Sequence, residues 1–398
     1  MTATMTTVNG ILKEVYEPDI HDQLSNERIT LKRIERTSDG VHDDAVGGKY
    51  VVFPVRHTRN HGISYRGENS QLAPAGRQGY TAATETLKYG YGRVRMTGPV
   101  MALAEKNFQS FASALDREMD GMKQDVSRDE NRIAYGHIDN AVATGIIAKV
   151  TATATAAQQT VDSTDQLEVG MVVDQVNAGT PVAGGTAVTV VSIDSAVLVT
   201  LSASVTGVSG NYIVRTGNWS NEPNGLNKIV DSTGTLHGIA STTGYWQAIE
   251  DGATTTLTEI AMIARCDDVY RKSGKQCTAI FASLGVRRSY FNLMTSLRRY
   301  NEPKEFSGGL IGLAFNYGKE VPVVADRDAP AKNMFGLCEP EITIYRDKEW
   351  YWEDTDGSIF KWVHDFDAFE ALLKQYWQLG THVRSAHWKM TNITEAVA

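Results

Sequence analysis

The chain has 398 residues, of which 42% are hydrophobic and 22% charged, and its formal net charge at pH 7 is -8. This length allows about two to three domains, and the composition excludes a disordered or membrane-embedded chain. The acidic balance argues against nucleic-acid binding as the main activity, which needs a concentrated basic face. No apolar run reaches membrane-spanning length, and the start lacks the features of a signal peptide. Three scattered cysteines, Cys266, Cys277 and Cys338, favour a reducing compartment over a disulfide framework or zinc site.

Residues 1–40 carry scattered apolar residues, among them Ile11, Val15 and Leu24, between many charged ones. This pattern predicts an N-terminal arm with short helical turns that lies across another surface. An ordinary N-terminal helical hairpin is the alternative.

Residues 41–97 include a long stretch, rich in Gly, Arg, Tyr, Asn and Thr, that cannot bury itself. Two runs of alternating apolar and polar residues border it, 49–55 and 85–96, and this alternation is typical of strands. Together they predict an extended hairpin with a mostly polar tip. Because a two-stranded hairpin alone is only marginally stable in water, we expect this one to complete its folding against another copy. The feature therefore points to assembly.

Residues 100–135 predict one long helix, because apolar side chains recur three or four positions apart. Pro99 suits its start and Gly136 its end. Charged pairs such as Asp129 and Arg132 are expected on its solvent face. The predicted helix far exceeds the usual 11–12 residues or so, and we expect it to span a whole domain. A helix bundle is the alternative, but the sequence offers no second long stripe.

Residues 145–217 differ sharply in composition, since Val, Thr, Ala, Ser and Gly dominate and charges are sparse. Short apolar runs separated by Gly and Asp turns predict a compact β-barrel or sandwich inserted into the main fold. Such an insertion could display a surface or contact a neighbour. The alternative is an insertion that only decorates the fold.

From residue 218 the pattern becomes mixed α/β. A capping box formed by Thr256 and Glu259 predicts a helix that ends at Gly274, and a second helix follows at residues 286–300. A long closing hairpin that turns at Gly380 is predicted at the end. Predicted strands cover residues 277–282, 311–315, 321–325, 334–337, 342–345 and 349–352.

Catalytic patterns are not recognisable in the sequence, which contains no P-loop, nucleophile elbow or paired-cysteine motif. His57 and His61 fall in a predicted loop, where solvated histidines are the simpler interpretation. Asp326 and Asp328 could form a carboxylate pair, yet a turn before Pro330 explains them. We therefore expect no enzyme activity, no cofactor and no metal.

Candidate assembly residues lie on the predicted hairpin and on the helix at 286–300. The helix carries two arginine pairs, which we expect to form salt bridges with carboxylates of other subunits; phosphate binding is the alternative. The full set of candidate interface residues is Arg56, Arg59, Tyr65, Arg66, Arg77, Tyr80, Arg287, Arg288, Arg298 and Arg299.

The order of these parts resembles the major capsid protein of tailed bacteriophages, the Hong Kong 97-like fold. The local resemblance lies in ALAEKNFQSF, NGLNKIVDSTGTLHGI, TAIFASLGVRRSYFNLM and FNYGKEVPVVADRDAP. The resemblance implies an α+β fold divided into an N-terminal arm (1–40), an extended hairpin loop (41–97), a peripheral domain with a spine helix (98–144), an inserted β-rich domain (145–217), an axial domain (218–335) and a return to the peripheral domain (336–398).

The resemblance also implies a function. Copies would form pentamers and hexamers, each hairpin lying over the next subunit, and close an icosahedral head shell around double-stranded DNA without sequence-specific binding. The implied location is the virion, after assembly in the host cytoplasm and without a membrane. Candidate partners are a separate scaffolding protein, a portal protein and a decoration protein. An encapsulin-like nanocompartment shell is the alternative, because encapsulins resemble the same fold.

Some members of this family link a loop lysine covalently to an asparagine of a neighbouring subunit. Here the hairpin tip carries arginines, and only Lys49 and Lys88 lie on its predicted arms. We therefore expect no such cross-links.

Overall fold

The structure, a computed structural model, describes residues 28–37, 41–42, 50–99, 108–140, 142–298, 314–316, 320–354 and 357–396. Its helices are α1 (Ile29–Thr37), α2 (Phe108–Tyr135), α3 (Leu226–Ile229), α4 (Glu259–Ser273) and α5 (Leu284–Arg298). Its strands are β1 (Val41–His42), β2 (Val51–Thr58), β3 (Gly79–Glu85), β4 (Lys88–Thr97), β5 (Ile146–Lys149), β6 (Ala154–Thr160), β7 (Val172–Asn177), β8 (Thr180–Pro181), β9 (Val188–Ser195), β10 (Leu198–Gly207), β11 (Tyr212–Arg215), β12 (Thr235–Leu236), β13 (Ile239–Ala240), β14 (Ile249–Asp251), β15 (Ala279–Ala282), β16 (Ala314–Asn316), β17 (Glu320–Ala325), β18 (Met334–Leu337), β19 (Ile342–Arg346), β20 (Tyr351–Trp352), β21 (Phe360–Trp362), β22 (Ala368–Thr381) and β23 (Trp388–Met390).

The 14-residue strand β22 organises the first sheet. On one side it pairs antiparallel with β4 over ten residue pairs, from Ala368↔Thr97 to Trp377↔Lys88. On its other side it pairs in turn with β21, β20 and β19, and β1 runs parallel to β19. The predicted closing hairpin at Gly380 is therefore wrong. Since both sides of β22 are already occupied, the chain leaves this sheet after Thr381, and β23 joins a different one.

The second sheet has the order β14-β23-β18-β15-β17-β16 and mixes parallel with antiparallel neighbours. Its apolar side chains share one core with α4 and α5, centred on buried Met262, Val286 and Trp388. Gly274 ends α4 with φ of 71°, as predicted. The predicted capping box is wrong, because the N-cap is Thr258, whose Oγ1 accepts from the amide of Ala261 at 3.2 Å.

Of the two predicted forms of residues 145–217, a barrel or a sandwich, the structure shows a barrel. The strand order is β5-β11-β7-β9-β10-β6, with β8 added to β7, and an antiparallel bridge between Val150 and Val161 brings the two outer strands together. The ends of the segment are adjacent, because the amide of Ser220 donates to the carbonyl of Thr144 at 2.8 Å. The barrel encloses a core of its own, formed by Ile147, Ala148, Val150, Val161, Leu167, Val173, Val188, Val190, Val199, Leu201, Val205 and Ile213.

Helix α2 has 28 residues and ends at Tyr135, followed by Gly136 with φ of 66°. The predicted helix and its stop are confirmed, whereas residues 100–107 lie outside the described part. One prediction for α2 is wrong, because Arg132 is buried and Asp129 is half-buried. The end of the barrel covers them: Asp129 binds Arg132 at 2.7 Å and Arg215 at 2.8 Å. Burial acts to raise the pKa of Asp129, but these two arginines hold it below its ordinary value.

Helix α1 is the described part of the predicted arm, and it packs on the core of its own chain. Leu31 and Ile34 are buried in the central cluster that also contains Tyr135 and Trp377. At its N-terminal end, Asp326 accepts from the amide and hydroxyl of Thr30 at 3.2 and 2.7 Å. A carboxylate at this end stabilises a helix.

The turn predicted at Asp326 and Asp328 is confirmed, and both carboxylates are buried in it. The amide of Asn131, on α2, donates to Asp326 at 3.1 Å and to Asp328 at 2.7 Å. Burial, reinforced by the charge of Asp326, raises the pKa of Asp328. This cluster ties α1 and α2 to the second sheet.

Glu130 connects α2 to two further parts of the fold. It is 4% exposed, accepts from the indole of Trp350 at 2.7 Å and lies 3.1 Å from the guanidinium of Arg28. Burial raises the pKa of Glu130 to about 7, although Arg28 acts in the opposite direction. The native state therefore binds a proton here at pH values where the unfolded chain has released it.

We expect Glu130 to make the protein less stable as pH rises. Its pKa increases from 4.5 to about 7 on folding. The stability that this proton contributes is therefore fully present below pH 4.5 and is lost as the pH rises through 7. Glu130→Gln keeps an acceptor for Trp350 but does not titrate. From pH 5 to pH 8, the free energy of unfolding of wild type should fall relative to E130Q by about 2 kcal/mol. Urea denaturation at intermediate pH values measures this, and a constant difference would contradict it.

Candidate assembly surface

The extended hairpin consists of β2 and β3, paired antiparallel from Val51↔Glu85 to Thr58↔Gly79. The first predicted arm is confirmed. The second arm was predicted at residues 85–96 and is wrong, because that segment contains β4, which pairs with β22. The alternation in β4 was recognised correctly, but it belongs to a long-range pairing within the chain.

The base of the hairpin is fixed to the body of the protein. Val55 and Ala83 are buried in the central cluster, and Phe53 packs edge-on against His237 with centroids 5.6 Å apart. Glu85, 9% exposed, binds Nδ1 of the buried His237. We therefore expect the hairpin to project from a rigid attachment.

The tip, residues 59–78, contains no strand or helix. Its two sides meet where the side-chain amide of Asn60 donates to the carbonyl of Gly76 at 3.1 Å. Beyond this contact the apolar side chains point away from any core: Ile63 is 79% exposed, Tyr65 99% and Leu72 83%. The tip thus exposes apolar surface that its own chain does not cover.

The hairpin is basic on an acidic protein. Residues 56–80 contain four arginines and one glutamate, a net charge of +3 with neutral histidines, against -8 for the whole chain. The four arginines, Arg56, Arg59, Arg66 and Arg77, are all exposed, as is Tyr80. Among the residues that the structure describes, none of these arginines forms an ion pair. Arg66 donates only to Ser64 at 3.2 Å, and Arg59 lies 5.6 Å from the ring of Tyr245.

The other four candidate arginines, Arg287, Arg288, Arg298 and Arg299, were predicted on the helix that is now α5, far from the hairpin in the sequence. Arg287 is half-buried, whereas Arg288 is exposed and donates to the carbonyl of Ala396 at 3.0 Å. Arg298 is the last residue of α5. Its side chain and the whole of Arg299 lie outside the described residues. The structure therefore places the candidate residues on two separate elements, not in one cluster.

A groove between α2, β4 and the barrel was not foreseen from the sequence. Its volume is about 860 Å3, and its lining includes Tyr89, Tyr91, Glu168 and Trp350. Tyr89 and Tyr91 are 66% and 60% exposed. Their alternation in β4 was the available signal, but only the fold brings the barrel beside them.

Within the described ranges, no three His, Cys, Asp or Glu side chains are grouped so as to hold a metal ion. In the same residues, no helix has the length and apolar character needed to cross a membrane.

Comparison with solved structures identifies the fold. The chain is similar to a chain of the Cyanophage A-1(L) capsid asymmetric unit, with 13% identity and a TM-score of 0.63 over 99% of this chain and 100% of that one. It is also similar to the capsid of an empty GTA particle, with 9% identity and a TM-score of 0.51 over 99% and 100%. No protein-family model and no curated protein matches the sequence. At such identities the likeness concerns the fold alone, and that fold is the one of a phage capsid protein.

Proposed function

We propose that this protein is the major capsid protein of a tailed bacteriophage, with the Hong Kong 97-like fold. Copies assemble through pentamers and hexamers into an icosahedral head shell that encloses double-stranded DNA. In this proposal the arm, peripheral domain, inserted barrel and axial domain keep the boundaries predicted from the sequence, whereas the extended hairpin consists of β2, β3 and the tip between them. The protein acts by self-assembly, without catalysis.

The observation that carries this proposal is the hairpin. Its base is fixed by Glu85 and His237, while its tip exposes apolar side chains and arginines that have no ion-pair partner within the described residues. Contact with a second copy would remove this apolar surface from water and supply carboxylates for the arginines. If every subunit places its hairpin on a neighbour and in turn binds the hairpin of another, the copies form closed or repeating assemblies.

Expression of the full chain tests the proposal. We expect sedimentation velocity to detect large, uniform particles, and electron microscopy to show closed shells, once a scaffolding protein is supplied where one is needed. Nuclease treatment and cargo analysis of particles from infected cells distinguish a DNA-filled head from a nanocompartment shell. Protected DNA of genome length supports the head; a folded enzyme as sole cargo supports the encapsulin-like alternative. A monomer under all these conditions would contradict both.

We expect mature particles to contain no covalent links between subunits. The tip contains no lysine, and the amine of Lys88 is engaged at 2.8 Å with the carbonyl of Ser220 in its own chain. Lys49 lies outside the described residues. Boiled particles on a denaturing gel should run as a single band near 43.6 kDa. A ladder of very large species would contradict this expectation, and Lys49→Arg and Lys88→Arg variants would then identify the lysine used.

A further inference from the structure

A second surface feature lies at the base of the hairpin. A cleft of about 540 Å3 separates β2 from the C-terminal end of α4 and from residues 382–385. Arg56, Arg59 and Lys272 contribute its cationic groups, and Tyr245 and Trp246 contribute aromatic surface. No carboxylate is found among the residues that line it, within the part of the chain that the structure describes.

Three donor groups that line this cleft, on Arg56, Arg59 and Trp246, have no acceptor among the described residues. The guanidinium of Arg56 has no ion pair with a described residue, and that of Arg59 lies only against the ring of Tyr245. The indole N–H of Trp246, a residue only 3% exposed, has no hydrogen-bond partner among the described groups. Buried donors are normally satisfied, so these groups fit a ligand that brings acceptors.

Lys272 strengthens this interpretation. Its amine makes one long hydrogen bond, 3.4 Å to the side chain of Gln247, and faces no carboxylate of the cleft. Burial, with a smaller contribution from the nearby charge of Arg384, lowers the pKa of Lys272. An anion bound in the cleft would offset the cost of burying this positive charge.

We propose that this cleft binds carboxylate side chains of an adjacent copy of the same chain. The inference rests on the proposed function, because it needs a neighbouring subunit. Arginine forks and a lysine at close range suit carboxylates, and the apolar wall formed by Pro54, Val55 and Tyr245 suits a polypeptide.

The chain itself supplies the ligand. Its net charge is -8, and Glu118, Asp120 and Asp354 are exposed carboxylates that form no ion pair with the described residues. The cleft is continuous with the tip that the proposed function places on a neighbour, so the same subunit contact covers both. Electrostatic complementarity of this kind fixes the register of an interface and speeds its formation.

Two pairs of variants test the cleft in assembled particles. Arg56→Gln with Arg59→Gln removes two cations, and Arg56→Lys with Arg59→Lys keeps the charge as a matched control. We expect the glutamine variant to need at least a tenfold higher subunit concentration for shell formation, and the lysine variant to remain within about threefold of wild type. Unchanged melting temperatures of the isolated subunits would show that folding is intact.

A carbodiimide, which joins an amine to a carboxylate that touches it, gives a direct readout on wild-type shells. We expect mass spectrometry to find Lys272 linked to an Asp or Glu of another subunit. Lys272→Arg should form shells but lose this link, because a guanidinium does not react in the same way.

The outcomes separate the cleft from the proposed function. Normal assembly of the Arg56→Gln, Arg59→Gln variant would overturn the role proposed for the cleft but not the proposed shell function. The same holds if Lys272 is linked only to carboxylates of its own subunit. Binding of a fluorescent DNA oligonucleotide that is lost in the same variant would assign the cleft to phosphates and overturn its assignment to carboxylates. Complete absence of particles from wild type would overturn the proposed function, and the cleft with it.

Discussion

A subunit whose hairpin tip is shortened should fold normally and fail to form shells. Replacing residues 60–77 with an Asn-Gly turn keeps β2 and β3 and retains Arg59 beside Tyr245. The deleted segment contributes no side chain to the described core, since Ile63, Tyr65 and Leu72 are mostly exposed. We therefore expect the melting temperature of the subunit to change by no more than about 1 °C, which corresponds to about 1 kcal/mol for a protein of this size.

The effect on assembly should be far larger, because every subunit contact in the shell loses the same apolar and charged surface. Sedimentation velocity should show monomers or isolated capsomers where wild type forms particles. A matched control replaces residues 60–77 with a Gly-Ser segment of equal length, which separates the loss of side chains from the change in loop length. Normal particles from both variants would contradict the role given to the tip.

Removing the barrel should leave a soluble, folded remainder. Joining Gly145 directly to Gly217 preserves the hydrogen bond from the amide of Ser220 to the carbonyl of Thr144, which is 2.8 Å long. The excision exposes Asp129 and Arg132 and removes Arg215, which binds Asp129 at 2.8 Å. We expect the free energy of unfolding of the remainder to fall by about 1–3 kcal/mol, since a partly buried charge loses one partner and keeps another.

Two further proteins, a point variant and the isolated barrel, make this test decisive. Arg215→Ala in the full chain measures the lost ion pair alone and should account for only part of the decrease, because Lys149, Asp162 and Glu168 of the barrel also form ion pairs with the remainder. The isolated segment 145–217, whose closed barrel holds a separate apolar core, should give the circular dichroism of a β protein and a cooperative thermal transition. Aggregation of the remainder under conditions where wild type is soluble would show instead that the barrel completes the main core.

The local elements could be predicted where a short pattern determines them. Strand β18 was predicted with its observed bounds, Met334–Leu337, because a short apolar run between turn signals allows few alternatives. Gly136 and Gly274 were predicted as helix stops because glycine accepts positive φ without strain. Both residues adopt positive φ in the structure. Thr256 was predicted as the N-cap because Glu259 follows it at the spacing of a capping box, but TTTLT offers several hydroxyls, and only the fold selects Thr258.

Long-range pairing could not be predicted in the same way. The alternation in β4 is compatible with many partner strands. The prediction paired it with β2, which is near in the chain, whereas its partner in the structure is the distant β22. The contact of Asp129 and Arg132 with other parts of the fold was missed for a related reason. Helix periodicity assigned them to the polar face, and nothing local shows that Arg215 and Glu222 arrive there. The candidate residues of the hairpin could be named because low apolar content is itself a local property.

The central claim is that the hairpin completes its contacts on a neighbouring subunit within a closed shell. A reconstruction of assembled particles by cryo-electron microscopy tests it most directly. We expect residues 59–78 to be ordered against an adjacent copy, with Tyr65 and Leu72 removed from solvent and Arg66 and Arg77 close to carboxylates of that copy. A closed particle in which this segment extends into solvent, or contacts only its own subunit, would contradict the account.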